Sequence, residues 1–574
     1  MLALIAWLPA AAAEPEPPDA DAADKPHVST TFTNDFELRL QNFDPTPLVQ
    51  IGGPPPKFVE QLDRLTARAS SGRWAANVQV DEVAFVGLPY EVDGQVVHTP
   101  PPLILNCGLD QCVQAPFGEH FYANPEKFSV TYDTPDLDVA VGDFYAAFGY
   151  GAALNLNRNV DIDVDTSIQG ARVVASPGPW EVTALAGMLN RQQVFADNPN
   201  IGMLQGDKRH LVGAFRVQRH ELGPAAIGLH GVAYDFVDAY GLSGAFDEAF
   251  SRTDALVGGG TVELFGVGGV DWQLEGDVLG FPTDEEGHSD LFGGRAPEFG
   301  HALYASASFA VGPTIWTVDA KKYRNVNRIN GPLAAEQYQA VVPPTLEYER
   351  AINFNTAAAL TSNDIAGARA RVDFALGAVT PYVSVAVFRD ADTDNATQHA
   401  PAPETIGTVV GGVEALLDDF TVLLNALGRL EQRDDDFGQD RQVYGDVDLK
   451  FPLGIGEAHG DLVVSGQRFL GGPEVGGFAS DLDWTEASTS LTLAPTPEAG
   501  ITGYLDYTTN PFALAGGNLG PYNFGALELY VKPSSAWTVK AFYGGYAAGI
   551  RCSGGQCRNV PAFTGSRLAV TGTF

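Results

Sequence analysis

Closely spaced carboxylates are the side chains of this chain whose type and spacing come nearest to metal chemistry. Asp390, Asp392 and Asp394 alternate with other residues, as the first ligands of a calcium-binding loop do. The twelfth position of such a loop requires a glutamate, but Pro401 stands there, so the segment is not an EF-hand. A second acidic run comprises Asp434, Asp435 and Asp436. On outer loops both runs form either a solvated anionic surface or loose Ca²⁺ sites, and no firm metal site is expected.

Four cysteines form two pairs with identical spacing. Cys107 and Cys112 enclose four residues, as do Cys552 and Cys557, and turn-forming residues lie between the members of each pair. In an oxidising compartment this pattern predicts two local disulfides, each contributing about 2 kcal/mol by loop closure. Zinc is the competing interpretation, but zinc knuckles favour shorter spacing and neither pair has a nearby histidine.

Motifs of enzymatic chemistry are missing from the sequence. It contains no His-Glu-x-x-His, no Gly-x-Ser-x-Gly and no phosphate-binding Gly-Lys-Ser/Thr element. His210, His220 and His230 are evenly spaced, but turns between them make a shared site improbable on sequence grounds. We therefore predict that the protein is not an enzyme. A hydrolase remains the alternative, because a triad on neighbouring strands leaves no local signal.

The elements that must position the charged groups are strands of about ten residues with alternating character. Val443 and Val447 share one face of residues 441–451, whereas Asp446 and Asp448 share the other. Because unpaired charges facing lipid are costly, we expect the charged faces to line the interior of a barrel. The predicted lumen-lining residues are Arg216, Asp319, Arg369, Arg371, Asp373, Asp446, Asp448, Lys450 and Asp461.

Connections between these strands alternate between short turns and long Gly- and Asp-rich segments. Short turns are expected at 176–180, 311–314, 377–381, 417–420, 495–499 and 532–537. Long ones are expected at 190–207, 238–253, 281–300, 324–364, 390–404, 432–440, 468–483, 508–521 and 549–564. A soluble sandwich seldom sustains this asymmetry. The pattern predicts an all-β fold, a large antiparallel transmembrane up-and-down barrel of about 20–24 strands, with short periplasmic turns and long extracellular loops.

The chain divides into three parts on composition. Residues 1–13 have the apolar core and Ala-x-Ala site of a signal peptide, so the protein is expected to be exported. Residues 14–56 are acidic and proline-rich, and predict a flexible segment that is either periplasmic or plug-like. Residues 57–574 are expected to form the barrel, with 87–126 as a long loop or partial plug.

The last strand ends in an aromatic residue. Leu568, Val570, Gly572 and Phe574 fall on one face of it. This ending resembles that of bacterial outer-membrane β-barrels, whose assembly machinery reads the terminal aromatic. The resemblance implies the outer membrane of a Gram-negative cell, with Phe574 as assembly signal. It also implies contact with outer-membrane lipid, lipopolysaccharide and the barrel-assembly machinery.

One internal segment carries a second resemblance. Residues 141–151 read Val-Gly-Asp-Phe-Tyr-Ala-Ala-Phe-Gly-Tyr-Gly and run into Leu154-Asn-Leu156. The segment resembles a motif of an uncharacterised family of Gram-negative outer-membrane barrels, over roughly residues 60–190. That resemblance implies a fold and a location but no chemistry. From the residues alone, the glycines favour bends, and Asp143 and Tyr145 are candidates to project into the lumen.

Charge excludes some functions and favours others. With 34 Lys and Arg against 71 Asp and Glu, the formal charge is −37, so we predict no nucleic-acid partner. The expected function is an outer-membrane channel giving passive or gated passage to small polar solutes, with weak cation selectivity. The alternatives are a structural barrel that anchors long surface loops and a subunit of a larger outer-membrane complex. Apart from Ca²⁺ on the acidic loops, no cofactor is expected, and the sequence identifies no protein partner.

Overall fold

The protein is described from a computed structural model. The described residues are 28–42, 57–92, 95–98, 103–107, 112–116, 121–159, 164–191, 203–205, 210–235, 255–281, 299–326, 329, 340–342, 344, 364–390, 404–417, 422–435, 438–453, 456–470, 482–509, 522–546, 549–553, 556–560 and 563–574. Nearly all of them belong to strands. Among them there is no helix long and apolar enough to cross a membrane.

The strands are numbered in chain order. The first half comprises β1 Val28–Asn42, β2 Lys57–Ser71, β3 Trp74–Gly87, β4 Pro89–Val92, β5 Gln95–His98, β6 Leu103–Cys107, β7 Cys112–Pro116, β8 Phe121–Thr134, β9 Leu137–Phe144, β10 Ala146–Phe148, β11 Leu154–Leu156, β12 Arg158–Asn159, β13 Val164–Ala175, β14 Trp180–Arg191, β15 Met203–Gln205, β16 Leu211–Leu222 and β17 Ala225–Asp235. The second half comprises β18 Ala255–Val267, β19 Val270–Gly280, β20 Phe299–Val311, β21 Thr314–Arg324, β22 Asp364–Phe374, β23 Val379–Asp390, β24 Glu404–Leu417, β25 Val422–Asp435, β26 Gly438–Pro452, β27 Glu457–Leu470, β28 Leu482–Thr496, β29 Ala499–Thr508, β30 Tyr522–Ser534, β31 Trp537–Tyr546, β32 Gly549–Ser553, β33 Gln556–Val560 and β34 Phe563–Thr573.

Twenty-four of these strands close into one antiparallel barrel. Each barrel strand pairs with its sequence neighbours in the barrel, and β1 completes the ring by pairing with both β2 and β34. Leu38, for example, lies opposite Gln61 on one side and Leu568 on the other. The predicted fold class and the predicted range of about 20–24 strands are therefore confirmed. Closure leaves no unpaired sheet edge, which a membrane-spanning sheet requires.

The connections at the two ends of the barrel differ in length. One end has tight turns such as the one around Gly312, whose positive φ of 60° suits glycine. The other end carries long connections such as residues 325–363 between β21 and β22. Val28 lies opposite Ser71 beside a tight turn, and Phe574 exchanges backbone hydrogen bonds with Phe32. The first and last barrel strands therefore begin and end, respectively, at the short-turn end.

Side chains alternate between an apolar outer face and a buried inner face. On β23, Val383, Val385 and Val387 are exposed, whereas the intervening Ser384 and Ala386 are buried. The same alternation recurs around the ring, so the exposed large hydrophobic residues form a belt on the outside. A water-soluble protein would not expose so much contiguous apolar surface, whereas lipid tails would solvate it.

The interior is too wide for wall side chains alone to fill. From a strand spacing of about 4.8 Å and a tilt near 40°, a ring of this size is roughly 45–50 Å across. Part of the space is occupied by residues 145–156, which leave the wall after β9 and which we call the inward segment. Its residues Phe148, Ala153 and Leu154 are almost completely buried against the inner wall.

The predicted start of the barrel at residue 57 is wrong. Val28–Asn42, assigned to a flexible segment, forms β1 and seals the ring. Phe32 and Leu40 are exposed on its outer side, whereas Arg39 and Gln41 are buried on its inner side. The polar inner face resembles a continuation of the acidic leader, because charged lumen residues and disordered segments have similar composition.

Two predicted connections also have wrong bounds. The segment 87–126 ends early, because β8 begins at Phe121, and residues 88–120 contain the paired strands β4–β5 and β6–β7. The predicted loop 432–440 is largely strand, since β25 and β26 pair continuously out to Asp435 opposite Gly438. Strands that extend beyond the lipid belt can pair through their backbones without apolar side chains. The polar composition of this hairpin therefore leads to the wrong prediction of a loop.

Some predictions fall on residues outside the described ranges. These are the signal peptide at 1–13, most of the acidic segment before β1, and Asp392, Asp394 and Asp436.

Candidate functional site

Two parts of the inner wall differ in character. We call the inner wall formed by β9, β13, β14 and β16–β24 the packed arc, because its buried side chains belong to one apolar cluster with the inward segment. We call the inner wall formed by β25–β29 the open arc. There, many inward-facing side chains, including Asp446 and Asp461, are only partly buried. The candidate functional site is the lumen between the two arcs, together with the inward segment that separates them.

The apolar cluster lies at the long-connection end of the packed arc. Leu189, Tyr234, Leu279 and Phe388 all come from strand ends on that side. Residues 340–342, from the connection after β21, cover the inward segment. The Asn155 backbone N–H donates to Ala340 (2.7 Å), and that of Val342 donates to the Gly151 carbonyl (2.9 Å). Two connections thus meet inside the barrel and narrow it from one side.

Asp143 anchors the start of this arrangement, at the end of β9. Its carboxylate accepts hydrogen bonds from the Phe128 backbone N–H (2.8 Å), the Ser167 hydroxyl (2.9 Å) and the Asn190 amide (2.6 Å). A carboxylate bound by three donors from three strands is strongly fixed. The motif residue expected to project into the lumen is therefore part of the joint between the wall and the inward segment.

Tyr145 forms a second polar joint. Its hydroxyl donates to Asp165 (2.6 Å), which also pairs with Lys127. The ammonium of Lys127 lies 5.4 Å from the centre of the Tyr145 ring. Lys127 and Asp165 are both buried, and the pairing satisfies each charge.

The tip of the inward segment rests on carboxylates of the packed arc. The Tyr150 backbone N–H donates to Glu275 (2.9 Å), and the Tyr150 hydroxyl donates to Glu263 (3.2 Å). Burial and the nearby carboxylate of Glu263 raise the pKa of Tyr150 well above its usual value, so the hydroxyl stays protonated and donates. Gly149, with a φ of 60°, lies so close to Glu275 that a Cβ there would collide with the carboxylate.

Beneath that tip lie three buried titratable residues on β17 and β19, the two strands that flank β18. The His230 imidazole contacts Asp277 at 2.7 Å across β18, and Glu275 completes the group. Their nitrogen and carboxylate oxygen atoms all lie within 4.8 Å of one another. Gly259 lies opposite both His230 and Asp277 in the register, and a Cβ there would collide with Asp277.

Sequence reasoning misses this group and misses the inward fold of the motif. Strand register, not sequence spacing, unites His230 with Asp277, so no local signal exists. The histidines noted for their even spacing separate in space. His210 and His230 are buried, whereas His220 is exposed beside Glu181 at 3.5 Å. In the sequence, glycine at positions 149 and 259 is the signal that another group could lie close to the backbone there.

The predicted lumen residues of the packed arc are paired with one another. Asp319 is 2% exposed, and accepts hydrogen bonds from Arg369 (2.7 and 2.9 Å) and from the Tyr304 hydroxyl (3.1 Å). Arg371 pairs with Asp373 on the same strand (2.6 Å), and its guanidinium stacks on Tyr382, 4.0 Å from the ring centre. Opposite charges in this arc neutralise each other locally.

The predicted residues of the open arc are more exposed. Asp448 lies 2.6 Å from His459, and Lys450 pairs with Glu457 at 2.9 Å. Asp446 accepts a hydrogen bond from Tyr444 (3.3 Å), and its carboxyl group also contacts that of Asp461. Two carboxyl groups in contact concentrate negative charge on this wall. Arg216 lies elsewhere, directly opposite His230 on β16 of the packed arc.

The remaining predicted residues lie at the long-connection end or at the seam. Cys107 is directly opposite Cys112 in the β6–β7 hairpin, and Cys552 is opposite Cys557 in the β32–β33 hairpin. Asp390 ends β23, and Asp434 and Asp435 end β25. Phe574 pairs with Phe32 across the barrel seam, and its ring packs edge-on against Trp537, with centroids 5.0 Å apart. Disulfide formation, loop cation binding and an assembly signal at Phe574 stay predictions.

Comparison with known proteins gives only distant likenesses. No family model matches the chain, and no curated protein matches it. Among solved structures, the translocation pore of the P pilus usher PapC matches over 95% of this chain and 99% of its own, with 9% identity and a TM-score of 0.40. The match to OpdQ of Pseudomonas aeruginosa covers 77% of this chain and 99% of OpdQ, with 9% identity and a TM-score of 0.36. The match to OccK2 (OpdF) of the same species, in complex with glucuronate, covers 77% of this chain and 98% of OccK2, with 9% identity and a TM-score of 0.35. At such TM-scores the fold assignment rests on the strand pairing described above, and the predicted family motif stays a prediction.

Proposed function

We propose that the protein is an outer-membrane channel whose aqueous pathway runs along the open arc and is narrowed by the inward segment. The observation that carries this proposal is the pairing of an apolar outer belt with a wide lumen whose main apolar cluster, among the described residues, lies on the packed arc. A barrel of this size holds either water or a plug. Because the inward segment packs against the packed arc, the charged and partly exposed side chains of the open arc would face a solute in the lumen.

The outer-membrane part of the proposal is supported by closure and by the belt of exposed apolar residues. In such membranes short turns face the periplasm and long loops face outward. The paired Phe32 and Phe574 would then lie at the periplasmic end, where the seam closes. Deleting Phe574 should deplete folded, heat-modifiable protein from the outer membrane without stopping export. Equal amounts of folded protein with and without Phe574 would remove its role as an assembly signal.

Weak cation selectivity follows from the charge of the open arc. Asp446 and Asp461 meet carboxyl to carboxyl, whereas Arg369 and Arg371 are paired with acids in the packed arc. Negative charge along a water-filled path raises the local concentration of cations. The net charge of −37 points the same way.

Single-channel recording in a planar bilayer tests the proposal. The full chain should conduct, and the reversal potential under a salt gradient should show mild cation preference that grows as salt is lowered, because screening then weakens. Absence of conductance in correctly folded protein would overturn the channel and leave the anchor for surface loops. Clear anion preference would overturn the selectivity alone.

A further inference from the structure

We propose that His230, Glu275 and Asp277 bind one divalent transition-metal ion, which fastens the tip of the inward segment to the barrel wall. The donor atoms come from β17 and β19, and all lie within 4.8 Å of one another. Donors at about 2.0–2.2 Å from a tetrahedral metal lie roughly 3.3–3.6 Å apart, so the widest separation in the group would have to close by at most about 1.5 Å on binding. This site is additional to the channel function and does not depend on it.

Each of the two carboxylates is buried with one unused acceptor atom. Glu275 is 5% exposed and Asp277 is 2% exposed. Glu275 Oε1 and Asp277 Oδ2 have no hydrogen-bond partner among the described residues. Burying two neighbouring carboxylates with free oxygen atoms is costly unless a cation compensates them. Arg216, opposite His230 in the register, supplies one positive charge near Glu275, and a metal ion at the centre of the group would supply the rest and take up both oxygen atoms.

Two glycines leave space beside the carboxylates: Gly149 beside Glu275 Oε1, and Gly259 beside Asp277 Oδ1, the oxygen that contacts His230. A Cβ at Gly259 would collide with Asp277, and a Cβ at Gly149 would collide with Glu275. Gly149 belongs to the inward segment, and the next residue, Tyr150, donates its backbone N–H to the other oxygen of Glu275. One carboxylate would therefore bind the metal and the inward segment together, which is how the metal would fasten the segment.

The donor set selects the class of metal. One imidazole nitrogen with two carboxylate oxygens suits Zn²⁺, and Mn²⁺ or Fe²⁺ less strongly, with water completing the coordination. Mg²⁺ and Ca²⁺ prefer oxygen ligands alone, so the histidine disfavours them. We therefore expect Zn²⁺ to bind more tightly than Mn²⁺ or Fe²⁺, following the general order of affinity of divalent metals.

The test uses the full chain, folded in detergent, stripped with a chelator, loaded with Zn²⁺ and desalted. Metal analysis should find Zn²⁺ stoichiometric with the chain. Glu275→Gln with Asp277→Asn should lose it, and so should His230→Ala. The matched control His220→Ala alters an exposed histidine outside the group and should retain the metal. Heat-modifiable migration reports whether each variant is folded.

A second measurement on the unmodified chain covers variants that do not fold. Co²⁺ substituted into the stripped protein should give visible absorption bands of mixed nitrogen and oxygen coordination, and Zn²⁺ should displace them while excess Mg²⁺ should not. Zn²⁺ retention equal in the wild type and the folded double variant would overturn the proposal, as would the absence of Co²⁺ bands. In that case the two carboxyl groups share a proton instead. Conductance plays no part in these readouts, so failure of the channel and failure of the metal site are distinguishable.

Discussion

The packed arc and the open arc are built from strands of the same type, yet they treat charge in opposite ways. In the packed arc, two of the buried acids are matched by donors, Asp319 by Arg369 and Asp143 by Asn190, and the buried pair Glu275 and Asp277 is the proposed metal site. In the open arc, Asp446 and Asp461 face each other and remain partly exposed. The difference follows from what covers each wall. A covered carboxylate requires a partner, whereas one that meets water does not.

Under the proposed function, this difference gives the packed arc and the open arc different roles. Phe148 and Leu154 belong to the cluster at the long-connection end of the packed arc, and such contacts hold a segment in one place. The open arc has fewer buried apolar side chains among its described residues, so its charges are available to a passing solute. We therefore treat the packed arc as the support of the constriction and the open arc as the conducting wall.

Removing the largest hydrocarbon side chain of the inward segment should have the largest effect on conductance. Phe148 is 2% exposed, and Phe148→Ala should cost about 3–5 kcal/mol of packing. The inward segment should then detach, so that single-channel conductance rises several-fold and current noise increases. Phe299→Ala is the control, because Phe299 is exposed on the outside of the barrel. An unchanged conductance in folded Phe148→Ala would mean that the inward segment does not narrow the pathway.

A smaller disturbance uses two glycines with the same backbone angle. Gly149 and Gly312 both have a φ of 60°, so alanine costs about 1–2 kcal/mol of backbone strain at either position. At Gly149 the new Cβ also collides with Glu275, whereas at Gly312 nothing lies within 4 Å. Gly149→Ala should raise the open-channel noise and Gly312→Ala should not, as recordings of matched length would show. Equal behaviour would mean that the contact with Glu275 does not hold the segment.

The features that can be predicted from the sequence are those set by neighbouring residues, and the features that cannot are those set by contacts between distant strands. Alternation and turn residues predict the barrel, its approximate number of strands and the short turns, because these signals are local. The inward segment could not be predicted, since Tyr150 meets Glu275 across 125 positions of the chain. Likewise, His230 meets Asp277 only through the register of three strands. Strand β1 was within reach, because Phe32, Phe36, Leu38 and Leu40 alternate with polar residues, but its charges resemble those of the leader.

The charge of the open arc can be tested against that of the packed arc. Asp446→Asn with Asp461→Asn should lower the cation-to-anion permeability ratio by roughly twofold, most clearly at low salt. Asp319→Asn removes an acid that is covered in the packed arc, and should leave the ratio unchanged. Reversal potentials under a salt gradient give both values. An equal loss of selectivity in Asp319→Asn would show that the solute path also touches the packed arc.

The smallest effect on channel current is expected from the two cysteine hairpins, of which only the first contacts a connection of the packed arc. Leu103–Leu105 of the first hairpin pairs in parallel with Met203–Gln205, from the connection between β14 and β16 in the packed arc. The second hairpin lies between β31 and β34, outside that arc. Because each pair is directly opposed in register, we expect local bonds Cys107–Cys112 and Cys552–Cys557, each stabilising its hairpin by about 2 kcal/mol.

Reduction should therefore loosen only the hairpins and leave the mean conductance of the barrel unchanged. Replacing Cys107 and Cys112 by serine should add slight current noise, since that hairpin pairs with a connection of the packed arc. Replacing Cys552 and Cys557 should add none. Mass mapping under non-reducing conditions decides the pairing: a cross-link such as Cys112–Cys552, or free thiols in exported protein, would contradict it. Such a cross-link would join the β6–β7 hairpin to the β32–β33 hairpin. Replacing either cysteine pair would then change the current noise equally.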